Sequence, residues 1–158
     1  MRLWHQKLIH YLPIKQLLGQ HRECCALRGK GWGRKHSVVD YVFTHPIAWL
    51  VFYHQCVIAE MKVRKIDVDV RWSCWNYRGK DLLFVTPEDK SYQAMIADII
   101  RTHESLEDSA PYKHKIYPEH DNNYLLECIS NLRSKHAELV NGTSLNQLEL
   151  EASINGDL

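Results

Sequence analysis

The chain has 158 residues, 45% hydrophobic and 25% charged, enough for one domain with a substantial core. Its formal net charge of +1 names no partner, and its longest apolar run, Ile47 to Tyr53, is too short to span a bilayer. Five cysteines without CxxC spacing indicate neither a disulfide framework nor a zinc ribbon, and no apolar signal segment follows Arg2, so a reducing cytoplasm is expected.

Met1 to Tyr11 is short, basic and aromatic, and Leu12-Pro13 marks a helix start. That helix is predicted to run to about Leu27, where Gly29, Gly31 and Gly33 break it. His36 to Phe43 reads as a short helix, with a strand left open by Val38 and Val39. Pro46 opens a helix to about Val63, apolar around most of its circumference and therefore central; Trp49 and Tyr53 are expected in the core. Ile66 to Trp72 alternates as a short extended piece. Thr86-Pro87-Glu88-Asp89 starts a helix to about His103. The last clear helix spans roughly Asn122 to His136, and after Gly142 an acidic tail is expected to be poorly ordered. The predicted fold is all-α: a compact bundle of four to five helices in one domain, residues 1–140, with a tail over 141–158.

Charge is unevenly placed along this scaffold. Up to His36 the basic residues are Arg2, Lys7, Lys15, Arg22, Arg28, Lys30, Arg34 and Lys35, against one carboxylate, Glu23. Beyond Lys135 there is no Lys or Arg, but Glu138, Glu149, Glu151 and Asp157. The N-terminal third is thus expected to face a polyanion, unless acidic neighbours balance it in the fold. The loop with Arg28, Lys30, Arg34 and Lys35 can offer cations and backbone N–H groups to phosphates, though it lacks P-loop spacing. Tyr112 to Tyr117 alternates aromatic and basic residues, with Lys113 and Lys115 suited to tracking a backbone.

On a helical wheel Ile14, Leu17, Leu18, His21, Cys24 and Cys25 gather on one face, where His and Cys are expected to pack rather than bind metal. Lys15, Gln16, Gly19, Arg22, Glu23 and Ala26 gather on the other. Gly19 costs about 1 kcal/mol mid-helix relative to Ala. With Ala26 it leaves bare backbone beside the Arg22–Glu23 pair, as a docking floor would.

No metal, serine-hydrolase or local two-carboxylate motif is present. A lone carboxylate suffices for one mechanism, imine formation at a sugar C1′ by an uncharged amine. An α-amino group near pKa 7.7–8.0 is roughly 10% free base at pH 7, whereas a lysine near 10.4 is almost wholly protonated.

The blocks Met1-Arg2-Leu3-Trp4-His5-Gln6, Leu12-Pro13, Leu17 to Gly29, Gly31-Trp32-Gly33 and Arg34-Lys35-His36 resemble the pyrimidine-dimer DNA glycosylase family. The likeness is to the bacterial branch of the endonuclease V type known from a T-even phage and chlorella viruses. Val57 to Met61, Asn76 to Lys80 and Ile116 to His120 agree with it. The resemblance implies a helical monomer that acts on double-stranded damaged DNA without metal or organic cofactor. It would excise cyclobutane pyrimidine dimers, or a related base lesion, and cut the abasic strand. By that resemblance Met1 supplies the amine, Glu23 the acid/base, and Arg22 with Arg2 hold phosphates beside the lesion. Arg28, Lys30, Arg34 and Lys35 would bind the backbone, and Gln16 stands where viral members carry a histidine that contacts phosphate or base. Arg2 is too bulky for ordinary Met removal, so the amine belongs to Met1 itself. The alternative is a nucleic-acid-binding module without the lyase.

Overall fold

A computed structural model describes residues 2–29, 38–84 and 115–154, with positions 90, 93, 94 and 97. Among the described residues four α-helices have defined bounds: α1 (Ile14–Arg28), α2 (Ile47–Val63), α3 (Asn122–Ser134) and α4 (Leu145–Ile154). Three 3₁₀ segments, Gln6–Tyr11, Asp40–Thr44 and Val70–Ser73, connect them. Among the described residues no sheet forms, only one bridge between Tyr77 and Phe84. None of these helices is long and apolar enough to cross a membrane.

Local chemistry sets the boundaries. Pro13 and Pro46, which cannot donate an N–H, each precede a helix as its N-cap. α1 stops at Gly29, whose N–H bonds the carbonyls of Cys25 and Ala26; a Cβ there would come within 3.3 Å of the Arg78 carbonyl oxygen. Asp121 caps α3 by accepting from the Tyr124 N–H at 2.8 Å. The same helix ends with paired bonds, His136 N to Arg133 O and Ala137 N to Leu132 O, as in a Schellman motif. That motif puts His136 at φ 50°, a left-handed conformation costing a non-glycine residue roughly 1–2 kcal/mol.

α2 is the central helix, as its all-round apolarity predicts. It buries Leu50, Tyr53, Val57, Ile58 and Met61, with α1 packed along it. Leu3, Leu8, Leu12, Leu125, Ile129 and Leu132 close the core from the two chain ends. Each such side chain contributes about 1.5–3 kcal/mol on burial. Buried Glu60 is matched by Arg64 Nε at 2.6 Å and His10 Nδ1 at 2.9 Å.

Three expectations are corrected. Residues 145–154 are not a loose tail but the helix α4, which rests Leu148 and Ala152 against α3. Ser144 starts it by accepting from the Gln147 N–H at 3.2 Å. Ile66 to Trp72 forms no strand: Asp69 accepts from the Arg71 N–H at 3.0 Å and begins a 3₁₀ turn instead. The buried stripe of α1 is Leu17, Gln20, Cys24, Leu27 and Arg28, while Ile14 is 58% exposed. The helix expected from Thr86 to His103 lies mostly outside the described residues.

Candidate active site

The start of the chain is pinned residue by residue. The Arg2 N–H donates to Glu23 Oε2 at 3.3 Å, and the Leu3 carbonyl accepts from Tyr124 Oη at 2.5 Å. Trp4 donates its N–H to Gln20 Oε1 at 2.6 Å and accepts from Tyr53 Oη at 2.5 Å. The Gln6 N–H donates to His120 Nδ1, and Gln6 Oε1 accepts from the Ile116 N–H at 2.7 Å. Elements from three distant parts of the sequence thereby hold one short segment against α1. Gln20 was not singled out from the sequence, although it stands one turn before Glu23; its amide also reaches Glu23 Oε2 at 3.4 Å.

The polar face of α1 forms the floor of a groove of about 1200 Å³. Lys15, Gln16, Gly19, Arg22 and Glu23 line it from α1, and residues 134–138 line it from the end of α3. The expected docking face is therefore a concave surface, and a Cβ added at Gly19 would meet nothing within 4 Å. Glu23 is half-buried. Desolvation raises its pKa above the usual carboxylate range, opposed by the Arg2 N–H and by the positive charges of Lys135 and Arg22. A carboxyl so placed holds a proton more readily than an exposed one.

The other expected site residues divide sharply. Arg22 is exposed and has no hydrogen-bond or ionic partner among the described residues, so its charge is free for a ligand. Gln16 lies on the groove floor. Arg2, expected on a phosphate, instead pairs with Glu127 Oε1 at 2.8 Å and stacks over Tyr124, tying the N-terminal segment to α3. Lys115 is exposed beside a separate cavity of about 310 Å³ that it lines with His5, Lys7, His120, Asp121 and Asn122. Met1, Lys30, Arg34, Lys35 and Lys113 lie outside the described residues.

Arg28, expected to bind the DNA backbone, is the clearest correction. It is 0% exposed. Its guanidinium donates to the carbonyls of Trp72, Cys74, Trp75 and Tyr77 at 2.7–3.2 Å, and to His54 Nδ1 at 3.2 Å. It lies over the Trp72 ring, and desolvation lowers its pKa to about 10. The residue staples the 72–77 loop to α1, and no phosphate can reach it.

That staple also decides the chemistry of a neighbouring cluster. The potential ligand atoms of His21, Cys25 and His54 lie within 4.8 Å of one another. Because His54 Nδ1 accepts from Arg28, the neutral ring carries its proton on Nε2, which donates to His21 Nδ1 at 2.8 Å. A metal on that Nε2 would have to displace this proton next to a buried cation. In this state hydrogen bonds join His21 to His54 and His54 to Arg28.

Two buried histidines carry a pH dependence. His5 donates from Nε2 to the His120 carbonyl at 2.7 Å, and His120 bonds Tyr41 Oη at 2.7 Å. Burial pushes their pKa values down, to about 4 for His5 and about 3 for His120. Folded-state values below the unfolded 6.5 mean that their contribution is complete above pH 6.5 and is lost as pH falls towards 3–4. Between pH 6 and 4 stability is expected to drop by up to about 2.7 kcal/mol per pH unit from these two groups. Urea midpoints measured at half-unit steps will show it; a flat profile over that window contradicts the assignment.

The scaffold and groove define a small all-α protein whose single described groove carboxylate on α1 is flanked by cations and by the start of the chain. Residues 1–73, just under half of the length, match the family model described as pyrimidine dimer DNA glycosylase. Over that segment the chain is similar to the pyrimidine dimer DNA glycosylase family. No curated protein and no solved structure gave a match.

Proposed function

We propose that the chain is a DNA-repair glycosylase with an associated abasic-site lyase, acting on cyclobutane pyrimidine dimers in double-stranded DNA through the α-amine of Met1. The observation that carries this reading is the 3.3 Å bond from the Arg2 N–H to Glu23. The α-nitrogen of residue 1 is three covalent bonds from the Arg2 nitrogen, so it lies within roughly 4 Å of it whatever the torsions. A free N-terminus at Met1 is therefore tethered within reach of the Glu23 carboxylate, directly or through one water.

In this reading the DNA strand enters the groove on the bare backbone at Gly19. Arg22 takes a phosphate, and Gln16 contacts the strand on the same face. The free-base amine adds to sugar C1′ as the glycosidic bond breaks, and its spare proton goes to the released base, which stays bonded to its dimer partner. The C1′–O4′ bond then opens, O4′ takes a proton from the Glu23 carboxyl, and C1′ becomes a protonated imine. Glu23 stabilises the cationic imine and accepts the proton lost from C2′. The electron pair freed there expels the 3′ phosphate by β-elimination. Water then hydrolyses the imine and restores the amine. Lys30, Arg34, Lys35 and Lys113 are proposed as backbone contacts beyond the groove, with the protein working as a monomer in the cytoplasm. Flipping a damaged nucleotide into the groove costs a few kcal/mol, less than for an intact pair.

The test is borohydride trapping with untagged chain on duplexes carrying an abasic site or a pyrimidine dimer. A covalent adduct whose tryptic mass maps to Met1 is expected. Salt-sensitive binding without an adduct would instead mark a non-catalytic DNA-binding module.

A further inference from the structure

We propose that Lys135 and His136, at the end of α3, hold a phosphate of the strand that lies on α1, opposite Arg22. This rests on the reading that the groove takes DNA. Three observations lead to it.

Lys135 is exposed at the groove and its ammonium sits 5.2 Å from the centre of the Trp4 ring. Its charge acts on Glu23 from the far wall, as that of Arg22 does from the floor. The two cations thus bracket the carboxylate. Arg64, which also lines the groove, is committed: it bonds Glu60, the Leu12 carbonyl and the His10 carbonyl. Lys135 has no such anchor among the described residues, and a ring face holds an ammonium without neutralising it.

His136 points to the same conclusion from the backbone. It occupies the left-handed position of the Schellman motif, where glycine is preferred, yet carries an exposed ring that lines the groove. Cations are favoured at any helix C-terminus, which accounts for Lys135 but not for an imidazole in place of glycine. Strain kept beside a candidate site is the pattern expected when the side chain has work to do. α2 supplies an internal control: Lys65 occupies the same motif position at φ 58°, but does not line the groove.

The experiment uses full-length untagged chain and a duplex with a non-cleavable tetrahydrofuran abasic analogue, titrated at several salt concentrations. Lys135→Gln is expected to weaken binding about threefold to tenfold and to reduce the salt slope by about one. His136→Gly is expected to raise the melting temperature by about 2–4 °C while weakening binding. Lys65→Gly should give a similar thermal gain with affinity within about twofold of wild type. Binding by wild type that neither Lys135→Gln nor His136→Gly weakens would overturn the assignment while leaving the DNA reading intact. An equal loss in Lys65→Gly would overturn it too, by reducing the effect to general positive charge. Wild-type chain that binds no duplex would overturn both.

Discussion

Glu23→Gln is expected to reduce strand cleavage at an abasic site by about 10²–10⁴-fold while leaving DNA binding and the fold intact. The amide oxygen can accept from the Arg2 N–H as the carboxylate does, so the pinned segment keeps its partner. On the proposed mechanism, what disappears is the proton acceptor at C2′ and the charge that steadies the imine. The stability effect has a definite sign. Because burial raises the folded-state pKa of Glu23, its favourable contribution is present below the unfolded value and is lost as pH rises through the folded one. Above the ordinary carboxylate range the wild type therefore carries a desolvated charge that the variant lacks. Urea midpoints should separate in favour of Glu23→Gln at pH 7 and converge near pH 4. Single-turnover cleavage within threefold of wild type would sink the assigned role.

Arg28→Ala carries the second large effect, and it falls on stability. Removing the guanidinium leaves the carbonyls of Trp72, Cys74, Trp75 and Tyr77 buried without their donor, and empties the space it filled against Trp72. Each unsatisfied buried group costs about 1–3 kcal/mol, so a total on the order of 4 kcal/mol or more is expected. Arg28→Lys should recover little, because three donors on one nitrogen cannot span four carbonyls set around a planar fork. Thermal melting of the two variants checks this. A stable Arg28→Ala chain that merely binds DNA less well would return the residue to the phosphate role its sequence suggested.

That disagreement shows where the sequence was readable. α1 and α2 were, because Pro13 and Pro46 set their starts and Gly29 ends the first. Arg28 was misjudged because its chain neighbours Gly29 and Lys30 look like a phosphate loop. Yet Leu17, Gln20, Cys24, Leu27 and Arg28 follow helical spacing, and that phase alone put it with the core. α4 was hidden by its acidity, although Leu145, Leu148 and Ala152 share a stripe behind Ser144 and Gln147, a capping-box pair. Lys135 could not be found at all. Nothing local links it to Glu23, and only packing closes a gap of more than a hundred residues.

The pinning of residues 2–6 also fixes when the site can exist. Arg2, Leu3, His5 and Gln6 take their partners from residues 116–127. Such non-local closures carry a loop entropy that is recovered only late in folding. During synthesis residues 2–6 emerge well before the elements that hold them, which follow more than a hundred residues later. A nascent chain therefore has no working centre. Residues 2–6 stay open to modification until α3 docks, and on the proposed mechanism modification at this end of the chain in that interval would block the reaction.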